Sequence, residues 1–330
     1  MSNLKIEEFK NNIRGKKVSV IGLGISNIPA IKYLNKLGAY IVGRDKKEEI
    51  PEELNGLENI EYILGDKYLD GLENSDYILR SPGVKPFIPE IQKAVQMGVI
   101  LTSEMELFIH LTNATVIGIT GSDGKTTTTT LTSLFLKEAG KNVYVGGNIG
   151  IPLLDKVEEI TQEDYVVLEL SSFQLMTMDE KIDRAAITNI SPNHLDYHRS
   201  YEEYIFAKTN IFNGQDENGI LVLNNDNELT KEFGQKAKGK VRMFSLEEKV
   251  DCGVYYENGE IISTVNGNEE KIMDAKEVKL VGMHNIANIC TAASLVIDIT
   301  GKEVIKKVAK NFGGVEHRME LVREYNGVKW

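Results

Sequence analysis

The chain has 330 residues, of which 42% are hydrophobic and 26% are charged, and this composition is typical of a globular protein long enough for two domains. Its net charge of -11 disfavours general nucleic-acid binding, because a phosphate backbone requires a basic surface. The two cysteines, Cys252 and Cys290, lack C-x-x-C spacing, and no apolar run approaches the roughly 18 residues of a membrane span. We therefore expect free thiols in a cytoplasmic protein without membrane insertion. We also expect a monomer, which composition does not indicate by itself.

The first part of the chain predicts an α/β domain over residues 1–103. A short apolar strand, Lys17–Ile21, is followed by a glycine turn and by a helix that continues to about Leu37. Further strands are expected at residues 40–43, 77–79 and 99–102. This alternation of strands and helices predicts a Rossmann-like domain.

The glycine turn Gly22-Leu23-Gly24 resembles a dinucleotide-binding fingerprint, with Asp45 about twenty residues further on. Asn27 occupies the position of the third glycine, which weakens the interpretation as an NAD-dependent oxidoreductase. A nucleotide-like phosphate or ribose is favoured, because the tight turn and the helix N-terminus remain. Ser81-Pro82-Gly83, which follows a later strand, is either a plain turn or part of the same ligand pocket.

The most specific motif is a short phosphate loop between a strand at residues 115–120 and a helix at Lys125–Ala139. Two glycines allow backbone N–H groups to point inward, Lys125 can reach the terminal phosphates, and the Thr126 hydroxyl can ligate Mg²⁺. The loop has two residues between its glycines, where the standard P-loop has four. The motif predicts ATP binding rather than an ordinary strand–turn–helix. The predicted ATP-binding residues of the loop are Gly121, Ser122, Asp123, Gly124, Lys125, Thr126 and Thr127.

The loop opens a second α/β series, predicted as a central P-loop ATPase-like domain with a mostly parallel sheet over residues 104–312. Further strands are expected near residues 142–145, 165–170, 185–190 and 220–223. Glu169 lies in an otherwise apolar strand, and a buried carboxylate needs a partner or a metal. We predict Mg²⁺ held by Thr126, Glu169 and ATP oxygens, with a solvated strand-end glutamate as the alternative.

A polar stretch at residues 189–198 follows another apolar strand, which places it at the ligand-binding edge of the sheet. His194, directly after the strand turn, is the better ligand candidate of its two histidines, and His198 is expected at the surface. Lys208 lies in an apolar helical stripe, where a lysine by itself would usually extend to solvent.

Taken together, the motifs resemble those of the Mur ligases, the ATP-dependent amino-acid ligases of peptidoglycan synthesis. The resemblance runs in family order along the whole chain, and the run 169–175 favours the D-glutamate-adding branch. It implies UDP-N-acetylmuramoyl-L-alanine and D-glutamate as substrates, joined through an acyl phosphate. The motifs are residues 121–127, Gly147-Asn148-Ile149-Gly150, Leu168-Glu169-Leu170-Ser171-Ser172-Phe173-Gln174-Leu175, Asn193-His194-Leu195-Asp196, Ala207-Lys208, Gly282-Met283-His284-Asn285-Ile286-Ala287-Asn288 and His317-Arg318-Met319-Glu320.

The resemblance also implies residue roles. Lys208 matches a helix lysine that is carbamylated in the family. The resemblance implies that this carbamate binds a second Mg²⁺, with His194 as co-ligand. The implied catalytic residues are Lys125, Lys208 and His194. Asn285, Asn288 and Arg318 match ATP-binding positions, with Asn288 at adenine. The implied substrate-binding residues are Ser26, Asp45, Ser81, Asn148 and Ser171, and the implied metal ligands are Thr126, Glu169, His194 and Lys208.

The chain departs from the family pattern at its C-terminal end. Mur ligases have a third domain that supplies the D-glutamate pocket, whereas this sequence stops at Trp330. We expect residues 313–330 to be a hinge and a stub of that domain, and the chain to bind ATP and UDP-sugar without ligating. The remaining alternative is another Mur ligase or a folylpolyglutamate-synthase-like amino-acid ligase, and the latter lacks the UDP-binding first domain.

Overall fold

The structure is a computed structural model that describes residues 3–315 and the backbone of residues 324–325 and 328–329. Within these residues the helices are α1 (Leu4–Ile13), α2 (Asn27–Lys36), α3 (Pro89–Gln96), α4 (Glu104–Leu111), α5 (Lys125–Glu138), α6 (Ser172–Leu175), α7 (Tyr201–Asn213), α8 (Glu228–Phe233), α9 (Met283–Thr300) and α10 (Lys302–Asn311). The strands are β1 (Lys17–Ile21), β2 (Tyr40–Asp45), β3 (Ile60–Leu64), β4 (Tyr77–Arg80), β5 (Ile100–Thr102), β6 (Thr115–Thr120), β7 (Val143–Gly147), β8 (Tyr165–Glu169), β9 (Arg184–Ile187), β10 (Ile220–Asn224), β11 (Lys240–Ser245), β12 (Gly253–Glu257), β13 (Glu260–Ser263), β14 (Glu270–Asp274), β15 (Glu324–Tyr325) and β16 (Val328–Lys329). These elements confirm the predicted α/β class.

Contacts divide the chain into two compact units. The first unit comprises Met1–Ala114, Gly150–Gln162 and Ser172–Glu180, and the second comprises Thr115–Ile149, Glu163–Ser171 and Lys181–Trp330. Helix α4 therefore groups with the first unit, whereas the predicted central domain begins at Glu104, the first residue of that helix. Contacts and sequence patterns divide a chain by different criteria, so the three predicted domain ranges stay predictions.

The first unit is built on a five-stranded sheet in the order β3-β2-β1-β4-β5, with every neighbouring pair parallel. The strand order reverses between β1 and β4, and open α/β sheets bind ligands outside the carboxyl ends of the strands at such a point. The loops after β1 and β4 meet there, because a Cβ atom added at Gly22 would lie 2.7 Å from the Ser81 Cβ. The predicted Rossmann-like arrangement is confirmed.

The second unit holds a nine-stranded sheet in the order β14-β13-β12-β11-β10-β9-β6-β8-β7. The seven strands from β7 to β12 are parallel, and β13 and β14 extend the sheet as antiparallel strands. Helices α5 and α9 bury apolar side chains against this sheet, among them Leu131, Phe135, Ile289 and Val296, each 0% exposed. The predicted mostly parallel central sheet is confirmed.

A buried carboxylate fixes one returning segment of the first unit. Glu104, at the start of α4, accepts backbone hydrogen bonds at Oε1 from Leu153 N (3.0 Å) and Leu154 N (2.9 Å). Burial raises the pKa of the Glu104 carboxyl to about 7, against the lowering effect of the two N–H donors. This contact attaches residues 150–162 to a helix far from them in sequence.

The helices and cysteines of the described residues can be compared with two further expectations. Among these residues, no helix is both long and apolar enough to cross a membrane. Cys252 and Cys290 are both free, as predicted, and Cys290 is buried.

Candidate active site

The phosphate loop lies at the carboxyl end of β6, between the ends of β8 and β9. Gly121 has φ +150°, and a Cβ atom there would lie 1.8 Å from Thr188 Oγ1. Gly124 has φ +81°, and a Cβ atom would lie 2.3 Å from Asn288 Oδ1. Only glycine fits either position, so the backbone of the loop lies close to the neighbouring side chains. The loop leads into the N-terminus of α5, whose backbone N–H groups are suited to bind phosphate.

Polar groups that follow β9 hold the loop in place. The Ser122 hydroxyl accepts a hydrogen bond from Ser191 N (2.9 Å) and lies 2.8 Å from the Tyr204 hydroxyl. Asp123 N donates to Asn189 Oδ1 at 3.0 Å. The sequence motif predicts a role in ATP binding for Ser122 and Asp123, but it does not indicate Tyr204 or Asn189 as their partners. The signal for Asn189 was present, since it is a polar residue directly after an apolar strand.

Two lysine ammonium groups converge on one carbonyl of the loop. Lys125 Nζ donates to Gly121 O and Ser122 O, both at 2.9 Å. Lys208 Nζ donates to the same Gly121 O at 2.7 Å and to Thr120 Oγ1 at 3.3 Å. Lys208 is 2% exposed, so it does not extend to solvent as an isolated lysine in such a stripe would.

The environment of Lys208 favours its neutral amine. Burial, followed by the positive charge of Lys125, lowers the pKa of Lys208 well below its usual value. The ring of Tyr204 lies 4.8 Å from Lys208 Nζ, which partly compensates whatever charge remains. A buried lysine of this kind is a candidate for chemistry at its nitrogen.

Glu169 is the last residue of β8 and is 1% exposed. Its Oε1 accepts from Asn148 Nδ2 at 2.8 Å, and its Oε2 is buried without a hydrogen-bond partner. Asn148 N also donates to Glu169 O at 2.7 Å, and a Cβ atom at Gly147 would lie 2.1 Å from that oxygen. The structure therefore brings together the predicted residues Asn148 and Glu169, and the unpaired carboxylate oxygen fits a hard cation.

The other predicted metal ligands are placed less uniformly. Thr126 is buried in the first turn of α5. His194 is exposed in the loop after β9 with φ +54°, and its role as a co-ligand stays a prediction. Over residues 3–315 no group of three or more His, Cys, Asp or Glu side chains is arranged to hold a metal. The predicted ligand set does not depend on such a group, because it combines a hydroxyl and a modified lysine with one carboxylate and one histidine.

The expected surface position of His198 is wrong. His198 is 3% exposed, and its ring lies edge-on to those of Tyr197 and Tyr204, each with a centroid distance of 5.4 Å. Aromatic packing buries this imidazole, whereas His194, four residues earlier, is exposed. The position of a histidine relative to a strand end did not indicate which of the two packs inside.

The asparagines of α9 lie next to the phosphate loop. Asn288 Oδ1 accepts from Thr128 Oγ1 at 3.4 Å, and Asn288 Nδ2 donates to Asn285 Oδ1 at 3.3 Å. Both asparagines are 7% exposed. The structure thus places them in one chain of hydrogen bonds that ends at α5, while their roles toward adenine stay predictions. Arg318 lies outside the described residues.

The predicted nucleotide residues of the first unit lie around its own switch point. Asp45 Oδ2 accepts from Leu23 N at 2.8 Å, so this carboxylate fixes the glycine turn. Asn27 Nδ2 donates to Gly22 O (2.8 Å) and Ile21 O (3.3 Å), which explains why an asparagine replaces the third glycine of the fingerprint. Ser26 precedes α2 and is exposed.

Comparisons with known proteins match both units. Residues 119–296 match the family model of the Mur ligase middle domain, and residues 16–103 match that of the Mur ligase MurD-like, N-terminal domain. The chain is 48% identical over 332 residues to a UDP-N-acetylmuramoylalanine--D-glutamate ligase of Ruminiclostridium cellulolyticum, covering 99% of this chain and 71% of that protein. It is 48% identical over 333 residues to the protein of the same name from Acetivibrio thermocellus, with the same two coverages. Among solved structures, a UDP-N-acetylmuramate-alanine ligase from Thermotoga maritima superposes with a TM-score of 0.52. The superposition covers 94% of this chain and 72% of that chain at 23% identity. A similarity at this identity supports the fold alone.

Proposed function

Because the chain belongs to the Mur ligase family, we propose that it is the ATP-dependent ligase that joins D-glutamate to UDP-N-acetylmuramoyl-L-alanine in peptidoglycan synthesis. The observation that carries this substrate assignment is the 48% identity, over 99% of the chain, to relatives named for that reaction. The match of residues 16–103 to a MurD-like N-terminal domain disfavours the folylpolyglutamate-synthase-like alternative, since those enzymes lack the UDP-binding domain. We place the reaction in the cytoplasm.

In the proposed reaction the carboxylate of the UDP-sugar takes the γ-phosphoryl group of ATP, and ADP leaves. The amine of D-glutamate then attacks the acyl carbon, phosphate leaves, the nitrogen loses a proton and an amide forms. Backbone N–H groups at the start of α5 and the ammonium of Lys125 would bind the β- and γ-phosphates, where negative charge collects. Lys125 already lies on the loop carbonyls Gly121 O and Ser122 O, within reach of any phosphate held there.

Thr126 and Glu169 would hold Mg²⁺ together with ATP oxygens. The buried Oε2 of Glu169 supports this role, because a buried polar oxygen without a donor is otherwise costly. When bound, the ion neutralises phosphate charge. Asn148 orients the carboxylate by donating to Oε1, which leaves Oε2 for the metal. Asn148 and Ser171 are also the proposed contacts to substrate.

We further propose that Lys208 is carbamylated. A neutral amine is required, because its lone pair forms the N–C bond to CO₂ while the nitrogen loses a proton. Burial and the charge of Lys125 lower the pKa of Lys208, which increases the share of that neutral form. The carbamate would then hold a second Mg²⁺ together with His194.

The remaining ligand contacts are assigned by position. Asn285, Asn288 and Arg318 would bind the adenosine part of ATP, and Ser26, Asp45 and Ser81 would bind UDP. Asp45 and Ser81 are supported by their places beside the glycine turn of the first sheet.

The proposal is tested by thermal-shift titration of the purified chain with Mg·ATP, UDP-N-acetylmuramoyl-L-alanine and a folate. We expect Mg·ATP and the UDP-sugar each to raise the melting temperature with a saturable dependence on concentration, and the folate to have no effect. The E169Q variant serves as the matched control, since it should lose Mg²⁺-dependent stabilisation and keep the response to UDP-sugar. Stabilisation by folate in place of UDP-sugar would refute the proposal. Mass spectrometry of the same samples with D-glutamate and bicarbonate tests whether the amide product forms.

A further inference from the structure

A fully buried arginine of the first unit has no part in the proposed chemistry. Arg80 ends β4 and is 0% exposed. Its Nη1 donates to Val84 O at 3.0 Å and to Pro82 O at 3.5 Å. Its Nη2 donates to Phe173 O and to Thr177 Oγ1, both at 3.1 Å. One planar guanidinium thus holds two segments that are more than eighty residues apart in sequence.

The first of these segments is the loop that carries Ser81. Ser81 N donates to Ile21 O at 2.9 Å, and Val84 N donates to Ser81 O at 3.0 Å. The loop is therefore fixed on one side by the end of β1 and on the other by Arg80. Loss of the guanidinium would leave the carbonyls of Pro82 and Val84 without this donor and free the turn to move.

The second segment, Ser172–Glu180, follows directly after the last residues of the strand that carries Glu169 and packs within the first unit. Thr177 in this segment also meets Glu106, a buried acid 6% exposed. Burial raises the pKa of the Glu106 carboxyl, while its hydrogen bonds with Ser103 and Thr177 and the charge of Arg80 act in the opposite direction. A buried cation and a buried acid therefore share Thr177, which fixes the geometry of the segment from both sides.

We propose that Arg80 is a positioning residue for the UDP-sugar substrate, which acts by holding the Ser81–Val84 loop against the Phe173–Thr177 segment. This inference rests on the proposed function, because it takes the Ser81 loop as part of the UDP site. Arg80 does not touch the substrate. It sets the position of the loop that does.

The test is calorimetric titration of the purified chain with UDP-N-acetylmuramoyl-L-alanine and, separately, with Mg·ATP. R80M keeps the apolar stem and removes every donor, R80K keeps the charge on a single nitrogen, and T177V removes one acceptor while Arg80 remains. R242M is the matched control, because Arg242 is also buried and also donates to a backbone carbonyl, Ser294 O at 2.7 Å, but in the second unit.

For R80M we expect UDP-sugar affinity to fall on the order of 10- to 100-fold, with partial recovery in R80K and a smaller loss in T177V. Mg·ATP affinity should stay within about twofold in all three, which a general loss of structure would not allow. R242M should bind UDP-sugar as the wild type does. If R80M does not fold, T177V decides the question by the same two titrations.

Three results would overturn the inference. Unchanged UDP-sugar affinity in the Arg80 and Thr177 variants, with normal binding by the wild type, refutes the role of Arg80 alone. An equal loss in R242M shows that destabilisation is the cause. No binding of UDP-sugar by the wild type refutes the proposed substrate site, and the role of Arg80 with it.

Discussion

The two glycines that flank helix α5 offer a controlled measurement of how tightly the phosphate loop is packed. Gly124 precedes the helix with φ +81°, and Gly140 follows it with φ +75°. A Cβ atom at Gly140 would meet nothing within 4 Å, whereas one at Gly124 would lie 2.3 Å from Asn288 Oδ1. Alanine therefore imposes similar backbone strain at both positions and a steric conflict at only one.

The expected magnitudes follow from these contacts. Left-handed strain costs an alanine about 1–2 kcal/mol, and its lower entropy in the unfolded chain returns about 0.4–1 kcal/mol, so G140A should lose roughly 1 kcal/mol. G124A carries the same strain and must also displace Asn288. That movement weakens the Asn288 bonds to Thr128 and Asn285, each worth about 0.5–1.5 kcal/mol. We expect G124A to lose about 2–4 kcal/mol in total.

The assay is urea unfolding of both variants followed by circular dichroism, with Mg·ATP titration of the folded proteins. G124A should also bind Mg·ATP more weakly by about tenfold or more, since its loop N–H groups are displaced, while G140A should bind normally. A double variant with N288A should be less unstable than the sum of the two single changes, because the conflicting side chain has been removed. Equal stability losses in G124A and G140A would refute the close approach of Asn288 to the loop.

Four further outcomes are expected. K125A should lose the rise in melting temperature that Mg·ATP gives the wild type; an equal rise in both would show that the loop assignment is wrong. Labelled ¹³C-bicarbonate should give a carbamate signal that K208A lacks, and an unmodified ammonium at saturating bicarbonate and magnesium would count against the second metal site. Burial raises the pKa of the Asp298 carboxyl, but hydrogen bonds from Arg184 and Arg242 outweigh it and hold that pKa below its usual value. The stability that Asp298 provides is therefore present above about pH 4 and is lost as the pH falls further. D298N should cost about 2–3 kcal/mol at pH 7, and urea unfolding of this variant should show a smaller loss of stability at acid pH. Glu104 has the opposite effect, because its pKa of about 7 in the folded protein lies above its value in the unfolded chain. The free energy of unfolding should fall by about 1–3 kcal/mol as the pH rises from roughly 4.5 through 7. E104Q should remove this dependence on pH.

Local sequence patterns predicted the elements that carry the chemistry. The bounds of β1, β6 and α5 agree with the structure to within a residue, because each combines an apolar run with a glycine stop. The antiparallel strands β13 and β14 were not predicted, since their neighbours in the sheet, rather than their own pattern, determine how they pair.

Long-range contacts account for most of what the sequence did not reveal. Residues 150–162 and 172–180 group with the first unit by their contacts, and no local pattern in the sequence indicates this. Glu104 accepts hydrogen bonds from backbone N–H groups there, and Arg80 donates to a backbone carbonyl, and a backbone partner leaves no residue type to recognise. For that reason the charged residues that organise the first unit were not identified as such from composition or spacing.

The position of Lys208 shows how burial changes the chemistry that a sequence motif predicts. On an apolar helical stripe a lysine ordinarily extends to water and keeps its charge. Here the side chain turns inward to Gly121 O, where Lys125 already donates, so two cations share one carbonyl. That arrangement is unfavourable while both are charged, and lowering the pKa of the more buried one relieves it. The proposed carbamylation fits this geometry, because a carbamate at Lys208 would be an anion beside the Lys125 ammonium.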